Sequence, residues 1–477
     1  MGSLQSVNPA SGVAFGHAFK TSTRAELEAM ARAAHATVEC MADAPGAQLA
    51  GFLEEYARLL DADRSALAQL AHEETALPLT PRLSEVEFNR MLSQLRSGAR
   101  APIDESWRTI AIDAPNQLRS TLVPLGGAVV CIGPSNFPLA FHGVSGGDFC
   151  AAIVARNPVI AKAHPGHLGT SARLYAAACA AREKAGLPAA AVQMFFDCAS
   201  DDGLALLEHR GVAALAFTGS RASGLRLKAV CDALGKPSSL EMSSVNPVFV
   251  ARGAAAARAE TIGESWATAL LLGGGQFCTK PGVLLVVGAD AAQRLTSRVA
   301  ELLRAAAPPI LLTESVRKNF LERVKALRSV CGEPICGGGS SELAGFRVEP
   351  TLFRVAAGRA RAERVVVMQE AFGPVGVVLE VEDDAALVEF AHELEGQLAC
   401  TVVADESDAA TRAALYATLR FRAGRLLDEA MPTGVVVSNA MVHGGPMPAT
   451  NDPRFTAVGL PESAKRFSKA LCLDRVR

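Results

Sequence analysis

The residues best suited to chemistry lie in Gly273-Gly274-Gly275-Gln276-Phe277-Cys278-Thr279-Lys280-Pro281-Gly282. Three glycines without a Cβ let the backbone wrap closely around a ligand. Cys278 follows them, where a long helical stretch gives way to loop, and a thiolate placed there can attack a carbonyl carbon. The thiolate is the reactive form, so a neighbouring base or a lowered pKa is required. By default a free cysteine is a small buried hydrophobe, and Cys278 departs from that default only if other groups converge on it.

Two further segments offer such groups. Leu240-Glu241-Met242-Ser243-Ser244-Val245-Asn246-Pro247 ends an apolar strand on a carboxylate, where burial would raise its pKa toward the range of a general base. A solvated or helix-capping Glu suits that segment equally well. Cys131-Ile132-Gly133-Pro134-Ser135-Asn136-Phe137-Pro138 sets Asn136 just past a strand end, where its amide can donate to a developing oxyanion. Taken singly, a turn-forming Asn is the simpler reading. His142 and His443 are present, but neither stands in a recognisable Cys–His signature, which weighs against a thiol hydrolase or acyltransferase.

These residues need elements to position them. From about Arg24 to Arg100 charges interleave with Ala and Leu at helical spacing, as in a helical layer around a sheet. Trp107–Val123 reads as two strands joined at Ala114-Pro115-Asn116-Gln117, polar enough to project from the core. Strands and helices then alternate: Gly127–Ile132, Val159–Lys162, Val192–Phe196 and Ala213–Phe217 extended, with Leu139–Ala155, Leu168–Lys184, Asp202–His209 and Ala222–Leu234 helical. That order predicts a parallel, doubly wound sheet with ligands at the carboxyl ends of its strands. A second alternating region, with a helix over Ala254–Leu272 and a strand over Val283–Val287, runs to about Asp428. Strands are expected at Val435–Ser438, Arg454–Val458 and Ala470–Asp474.

Composition sets the outer limits. The 477 residues exceed what one hydrophobic core supports, so two or three domains are expected. Hydrophobic residues at 49% and charged residues at 20% suit a globular enzyme rather than a disordered chain. A net charge of −2 without a Lys/Arg stripe disfavours nucleic acid as a partner. Met1-Gly2-Ser3-Leu4-Gln5 lacks the order of a signal peptide and Gly, Pro or charge interrupts each apolar stretch, so a cytoplasmic protein without a membrane partner is expected. The eleven cysteines (Cys40, Cys131, Cys150, Cys179, Cys198, Cys231, Cys278, Cys331, Cys336, Cys400 and Cys472) show no CxxC pair, which argues against a disulfide framework or a metal site.

Taken in order, Ser135-Asn136-Phe137-Pro138, Lys162-Ala163-His164-Pro165, Phe217-Thr218-Gly219-Ser220-Arg221, Glu241, Gly275-Gln276-Phe277-Cys278-Thr279 and Gln369-Glu370-Ala371-Phe372-Gly373-Pro374 resemble the aldehyde dehydrogenase superfamily over nearly the whole chain. Together with Met441–Pro446 and Pro448-Ala449-Thr450, they look like the branch holding α-ketoglutarate semialdehyde dehydrogenases and NADP-linked fatty-aldehyde dehydrogenases. The resemblance implies two Rossmann-like α/β domains plus a small β oligomerisation element. The dinucleotide-binding domain would comprise 1–106, 124–240 and 430–450, the catalytic domain 241–429, and the oligomerisation element 107–123 and 451–477. It implies Cys278 as nucleophile, Glu241 as general base and Asn136 as oxyanion donor, with no metal required. Lys162 would reach the adenosine ribose, Ser220 the pyrophosphate, Glu370 the nicotinamide ribose, and Phe372 would pack on the nicotinamide. Pro134, Ser135, His164, Pro165, Gly219, Met242 and Ser243 complete the expected dinucleotide site.

Departures from the family pattern bear on specificity. Ser243 and Ser244 stand where many members have glycines after the base, and their side chains could crowd the nicotinamide or hydrogen-bond to it. Pro165 replaces the Glu that would repel a 2′-phosphate, whereas Asp197, Asp201 and Asp202 supply acids and no Arg, leaving NADP or NAD with a tilt to NADP. A semialdehyde with a distal carboxylate needs a cation in the access funnel, for which Arg90, Arg96 and Arg454 are candidates beside Phe137 and Phe277. Without one, a medium- or long-chain or other neutral aldehyde fits better. A catalytically idle fold serving as a binding or structural protein is the alternative from another class. By the same resemblance Thr109–Leu122 and Ala470–Asp474 would reach a second subunit, giving a homodimer or a dimer of dimers.

Overall fold

Short runs rich in Val, Ile, Leu and Ala are stable as strands only when both sheet faces are covered. In the computed structural model, which describes residues 2–475, they form two parallel sheets. The outermost residues of the ranges 1–106 and 451–477 therefore lie outside the described residues.

The first sheet has five parallel strands in the order Val192–Phe195, Val159–Lys162, Ala128–Ile132, Val212–Thr218 and Ser238–Glu241. Side chains of the central strand alternate between two cores. Val129 and Cys131 face the helices Gly46–Ala62, Arg64–Thr75 and Phe88–Asp104, while Ala128 and Val130 face Arg24–His35 and Ser200–Glu208. The second sheet has six parallel strands in the order Thr351–Ala356, Val375–Val381, Val283–Val287, Val248–Val250, Gln397–Val403 and Ala423–Asp428. Leu284 and Val286 pack under the helices Arg252–Leu271 and Ala289–Ala305, and Val283, Leu285 and Val287 under the opposite layer. A third, antiparallel sheet joins Ala111–Asp113, Leu118–Pro124 and Ser468–Asp474, so the expected hairpin and the C-terminal strand form one unit.

Four features differ from the sequence expectations. The helix expected over Leu139–Ala155 is confined to Gly147–Val154. The preceding segment is pressed against the central strand, and glycine is what permits it: a Cβ on Gly133 would lie 2.3 Å from the Phe141 carbonyl oxygen and one on Gly143 2.6 Å from that of Cys131. Val435–Ser438 forms no strand; Val436 is exposed and the segment is held instead by Arg425, which donates to the Gly434 carbonyl at 2.6 Å. Arg454–Val458 forms only an isolated bridge between Ala457 and Val442. Conversely, Ser3–Asn8 and Val13–Lys20 pair as an unforeseen hairpin. The hairpin is tied down by the buried Glu74, whose carboxylate accepts from the Ser6 hydroxyl and from the Gly169 and Thr170 amides at 2.7 and 2.8 Å, capping the helix Leu168–Lys184.

The relative placement of the two large sheets creates the cleft. Ile132, Lys162, Thr218 and Glu241 end strands of the first sheet, whereas Ser244–Val245, Cys278, Gln369–Phe372 and Gly396–Gln397 precede or open strands of the second. Ligand-facing residues thus come from carboxyl ends on one side, as expected, and from amino ends on the other, which the strand–helix alternation did not foretell.

Candidate active site

The cleft has a volume of about 840 Å³ and is lined by Asn136, Glu241, Cys278 and His443. Cys278 is positioned from below by a polar network. Asn246 Nδ2 donates to the carbonyls of Cys278 and Lys280 at 2.8 and 3.0 Å. Asn246 sits at φ 50°, a left-handed conformation that Asn tolerates better than most residues. Its amide oxygen accepts from Ala399 N at 3.2 Å and lies 2.9 Å from the Ser244 hydroxyl, which is equally close to Gln397 Oε1. The Ser244 hydroxyl is therefore engaged by the scaffold, while Ser243, which accepts from Arg221 N at 3.3 Å, also lines the cleft. Gln276 is buried and braced by Leu312 N, and the indole of Trp266 donates to the Pro281 carbonyl at 2.7 Å.

The three glycines before Cys278 serve a different purpose from the one their composition suggests. Each has positive φ, and a Cβ on Gly275 would lie 2.4 Å from the Gly373 carbonyl group. Gly275 lets the Cys278 loop close on the protein's own Gly373-Pro374 turn, while Gly273 is held against the Phe277 ring and Gly274 against Pro309. Lys280 completes that contact: its buried ammonium donates to the carbonyls of Ala371, Gly373 and Val375 at 2.7, 3.1 and 3.1 Å. Glu370 is thereby carried into the cleft on a loop anchored to the nucleophile's own segment.

Above Cys278 stands His443. Its Nε2 lies 3.3 Å from Cys278 Sγ and 2.9 Å from Glu241 Oε1. One ring nitrogen meets both neighbours, so a single proton there serves one of them at a time. Backbone contacts hold the histidine in place: His443 N donates to the Thr456 carbonyl at 3.0 Å, and Met242 N donates to the Ala449 carbonyl at 2.8 Å beside a bridge from Glu241 to Thr450. Burial pushes the Glu241 carboxyl up, but the charge and hydrogen bond of His443, a hydrogen bond from Cys278 and the Arg466 charge outweigh it and leave it below the ordinary value. The raised pKa expected from burial alone is thus corrected by an imidazole that the segment around Glu241 does not reveal. Burial, reinforced by the charge and hydrogen bond of Glu241 and the charge of Glu370, pushes the Cys278 thiol well up, with Arg90 acting against it.

Asn136 Nδ2 donates to the Gln276 carbonyl at 2.8 Å, which brings its amide to the nucleophile's loop. Arg82 pairs with the buried Glu87, donates to the Asn136 carbonyl at 2.9 Å and lies 4.5 Å over the Phe137 ring. Arg90 lies between Phe141 and Phe137, 4.4 and 5.7 Å from their ring centres, and its Nε and Nη2 are buried without a hydrogen-bond partner. Burial lowers its pKa, and the charges of Glu87, Cys278 and Glu241 oppose that. Arg425 also carries a buried Nη2 without a partner and interacts electrostatically with Cys278. Phe277 packs edge-on to Phe137 at 5.7 Å. None of the three arginine candidates, nor Phe277, lines the cleft itself: Arg90 packs on Phe137 and Phe141, which do, whereas Arg96 turns to Asp61 at 3.4 Å and the exposed Arg454 chelates its neighbour Asp452 at 2.6 Å.

Pro134, Ser135, Lys162, His164, Pro165, Gly219, Ser220, Met242, Ser243, Glu370 and Phe372 all line the same cleft. These residues fit a dinucleotide. Ser220 caps the helix Arg221–Ala233, whose first turn opens into the cleft as an anion site, and Glu370 offers a carboxylate that burial pushes up and a hydrogen bond from Ser243 pulls back. Lys162 Nζ is 3.0 Å from the Asp197 carboxylate.

Sequence reasoning gave no role to Arg425, Arg82 or Lys280, and it set His443 aside for want of a Cys–His signature. His443 had a signal, since its motif belongs to the recognised set, but the separation of 241, 278 and 443 follows no local pattern.

Comparison with known proteins shows the family and the fold. The chain matches the aldehyde dehydrogenase family over residues 2–431. It is 35% identical to α-ketoglutaric semialdehyde dehydrogenase 2 of Azospirillum brasilense over 99% of this chain and 91% of that protein. It is 34% identical to the α-ketoglutaric semialdehyde dehydrogenase of Acinetobacter baylyi over 98% of this chain and 90% of that one. The fold is shared with the aldehyde dehydrogenase KauB of Pseudomonas aeruginosa, with a TM-score of 0.82 at 23% identity over 99% and 93% of the two chains. It is also shared with PnpE solved in complex with nicotinamide adenine dinucleotide, with a TM-score of 0.82 at 20% identity over 100% and 95%.

Proposed function

Because this chain belongs to the aldehyde dehydrogenase family and is an NAD(P)-dependent aldehyde-oxidising enzyme, we propose that it converts a carboxylate-bearing semialdehyde, of the α-ketoglutarate semialdehyde type, to the acid through a thioester on Cys278. The observation that carries the mechanism is the convergence of Cys278 Sγ, His443 Nε2 and a Glu241 carboxylate oxygen within 4.8 Å of one another at the cleft floor. His443 Nε2 takes the thiol proton and presents the resulting N–H to Glu241. Sγ then bonds the aldehyde carbon, and the carbonyl electron pair moves to oxygen, which accepts from the second hydrogen of Asn136 Nδ2 and from the Cys278 amide. When bound, NAD(P) supplies the two-electron acceptor that turns the thiohemiacetal into a thioester. Glu241 next removes a proton from water, the water oxygen attacks the thioester carbon, and the carbon–sulfur bond breaks to release the carboxylate and the Cys278 thiolate.

Substrate class rests on Arg90. A guanidinium with two buried, unpartnered nitrogens, packed on the cleft residues Phe137 and Phe141 and within electrostatic reach of Cys278, is costly unless an anion completes it, and a distal carboxylate does so bidentately. The names of the two sequence relatives point the same way. For the coenzyme, the Asp197 carboxylate at Lys162 repels a 2′-phosphate at the adenosine ribose, so the ion pair moves the tilt from NADP to NAD. In this reading 1–106, 124–240 and 430–450 bind the dinucleotide, 241–429 carries the nucleophile, and 107–123 with 451–477 mediates assembly.

The deciding assay follows absorbance at 340 nm with NAD and NADP in parallel and an aldehyde panel that includes α-ketoglutarate semialdehyde. Cys278→Ala should lose oxidation while still binding dinucleotide. Oxidation retained by that variant would remove Cys278 from its role. The Cys278–His443 contact also meets the requirement of a thiol hydrolase; acyl-ester cleavage in a protein that oxidises no aldehyde would favour that reading.

A further inference from the structure

The catalytic side chains also have the makings of a metal site. Thiolate, imidazole and carboxylate are the three donor types of zinc centres, with bonds of about 2.3 Å to sulfur and about 2.0–2.2 Å to nitrogen and oxygen, which in a tetrahedron separates the donors by about 3.4–3.6 Å. His443 Nε2 is already 3.3 Å from Cys278 Sγ and 2.9 Å from Glu241 Oε1, and all three donors fall within 4.8 Å of one another. Small side-chain adjustments bring them to bonding positions. A second observation points to a ligand. Glu241 Oε1 is buried and, although 2.9 Å from His443 Nε2, has no well-aligned hydrogen-bond donor. An ion among the donors satisfies all three, and the remaining tetrahedral position opens into the cleft that they line.

We propose that this constellation is a reversible Zn²⁺ site that switches the enzyme off. One ion binds Cys278 Sγ, His443 Nε2 and a Glu241 oxygen, and the thiol proton leaves to the buffer. Nucleophile and general base are sequestered in the same event, so oxidation stops without any change of fold. A soft thiolate beside an imidazole selects zinc over magnesium or calcium. The inhibitory consequence rests on the aldehyde-oxidation reading; the binding does not.

The intact protein is dialysed against Zn²⁺ alone and the bound metal measured, and Co²⁺ is added separately as a spectroscopic substitute. The proposal expects a single Zn²⁺ per chain, a binding constant weakened at least about tenfold by His443→Ala and by Glu241→Gln, and a sulfur-to-cobalt charge-transfer band that disappears in Cys278→Ala. Zinc should abolish aldehyde oxidation at the concentration that fills the site, and EDTA should restore it. Absence of binding by the unaltered protein, or binding undiminished in both single variants, overturns the site. Zinc bound as expected to a metal-free protein that oxidises no aldehyde would leave the site standing and sink the oxidation reading instead.

Discussion

At the scale of single residues, the reactivity of Cys278 is governed by what surrounds it. The raised thiol pKa means that only a small thiolate fraction exists at neutral pH in the protein without its coenzyme. Alkylation of Cys278 by iodoacetamide, followed by peptide mapping, should therefore accelerate about tenfold per pH unit between about pH 7 and pH 9, since the thiolate alone reacts. A rate already flat across that range would show a preformed thiolate–imidazolium pair. Arg90 carries the substrate prediction. A charge-assisted hydrogen bond contributes about 1.5–3 kcal/mol, so Arg90→Met should lower kcat/KM for a carboxylate-bearing semialdehyde roughly ten- to a hundredfold more than for a neutral aldehyde of equal length. Equal losses for both would remove anion recognition from Arg90. The convergence of Cys278, Glu241 and Asn136 on one cleft was legible because each lies in a short motif. The contact of His443 with both Cys278 and Glu241 was not, because it exists only across the cleft.

At the scale of elements, the cofactor side of the site depends on how the Glu370 loop is held to the Cys278 loop. Three carbonyls of that loop converge on one buried ammonium, and Gly275 permits the backbone approach that brings them there. Lys280→Met removes the donors while keeping the bulk. The expected result is a loss of about 3 kcal/mol in denaturant unfolding, from carbonyls left unsatisfied, and a KM for the dinucleotide that rises by more than the KM for the aldehyde. Equal KM changes would mean that Lys280 supports the fold without positioning Glu370. The parallel strands of both sheets were readable from their apolar runs, as the match of Val159–Lys162 and Val283–Val287 to expectation shows. The segment 139–146 was not, because its apolar residues satisfy a helical pattern while its glycines are used to press it against Ala128–Ile132.

At the scale of the whole molecule, the small antiparallel sheet leaves apolar side chains in solvent: Ile112 is 71% exposed and Leu471 42%. Such surface next to the free edge of Ala111–Asp113 suits a second copy of the chain. Light scattering of the intact protein should give a dimer or a dimer of dimers, and Ile112→Asp should shift it toward monomer. A monomer from the unaltered chain would refute the assembly. Among the described residues, no helix is long and apolar enough to cross a membrane.

The amino-acid sequence by itself determined the two α/β units, the family and the three residues expected to carry the reaction, because strand and helix periods, glycine turns and short motifs are local properties. Tertiary structure alone decided what those residues can do. The facing of one sheet's carboxyl ends against the other's amino ends set His443 between Cys278 and Glu241, while packing left two Arg90 nitrogens buried without a partner and engaged the Ser244 hydroxyl with Asn246 and Gln397. Hydrogen bonds, desolvation and charge act over a few ångströms of space, whatever the number of residues between the groups, so no local spacing could have announced them.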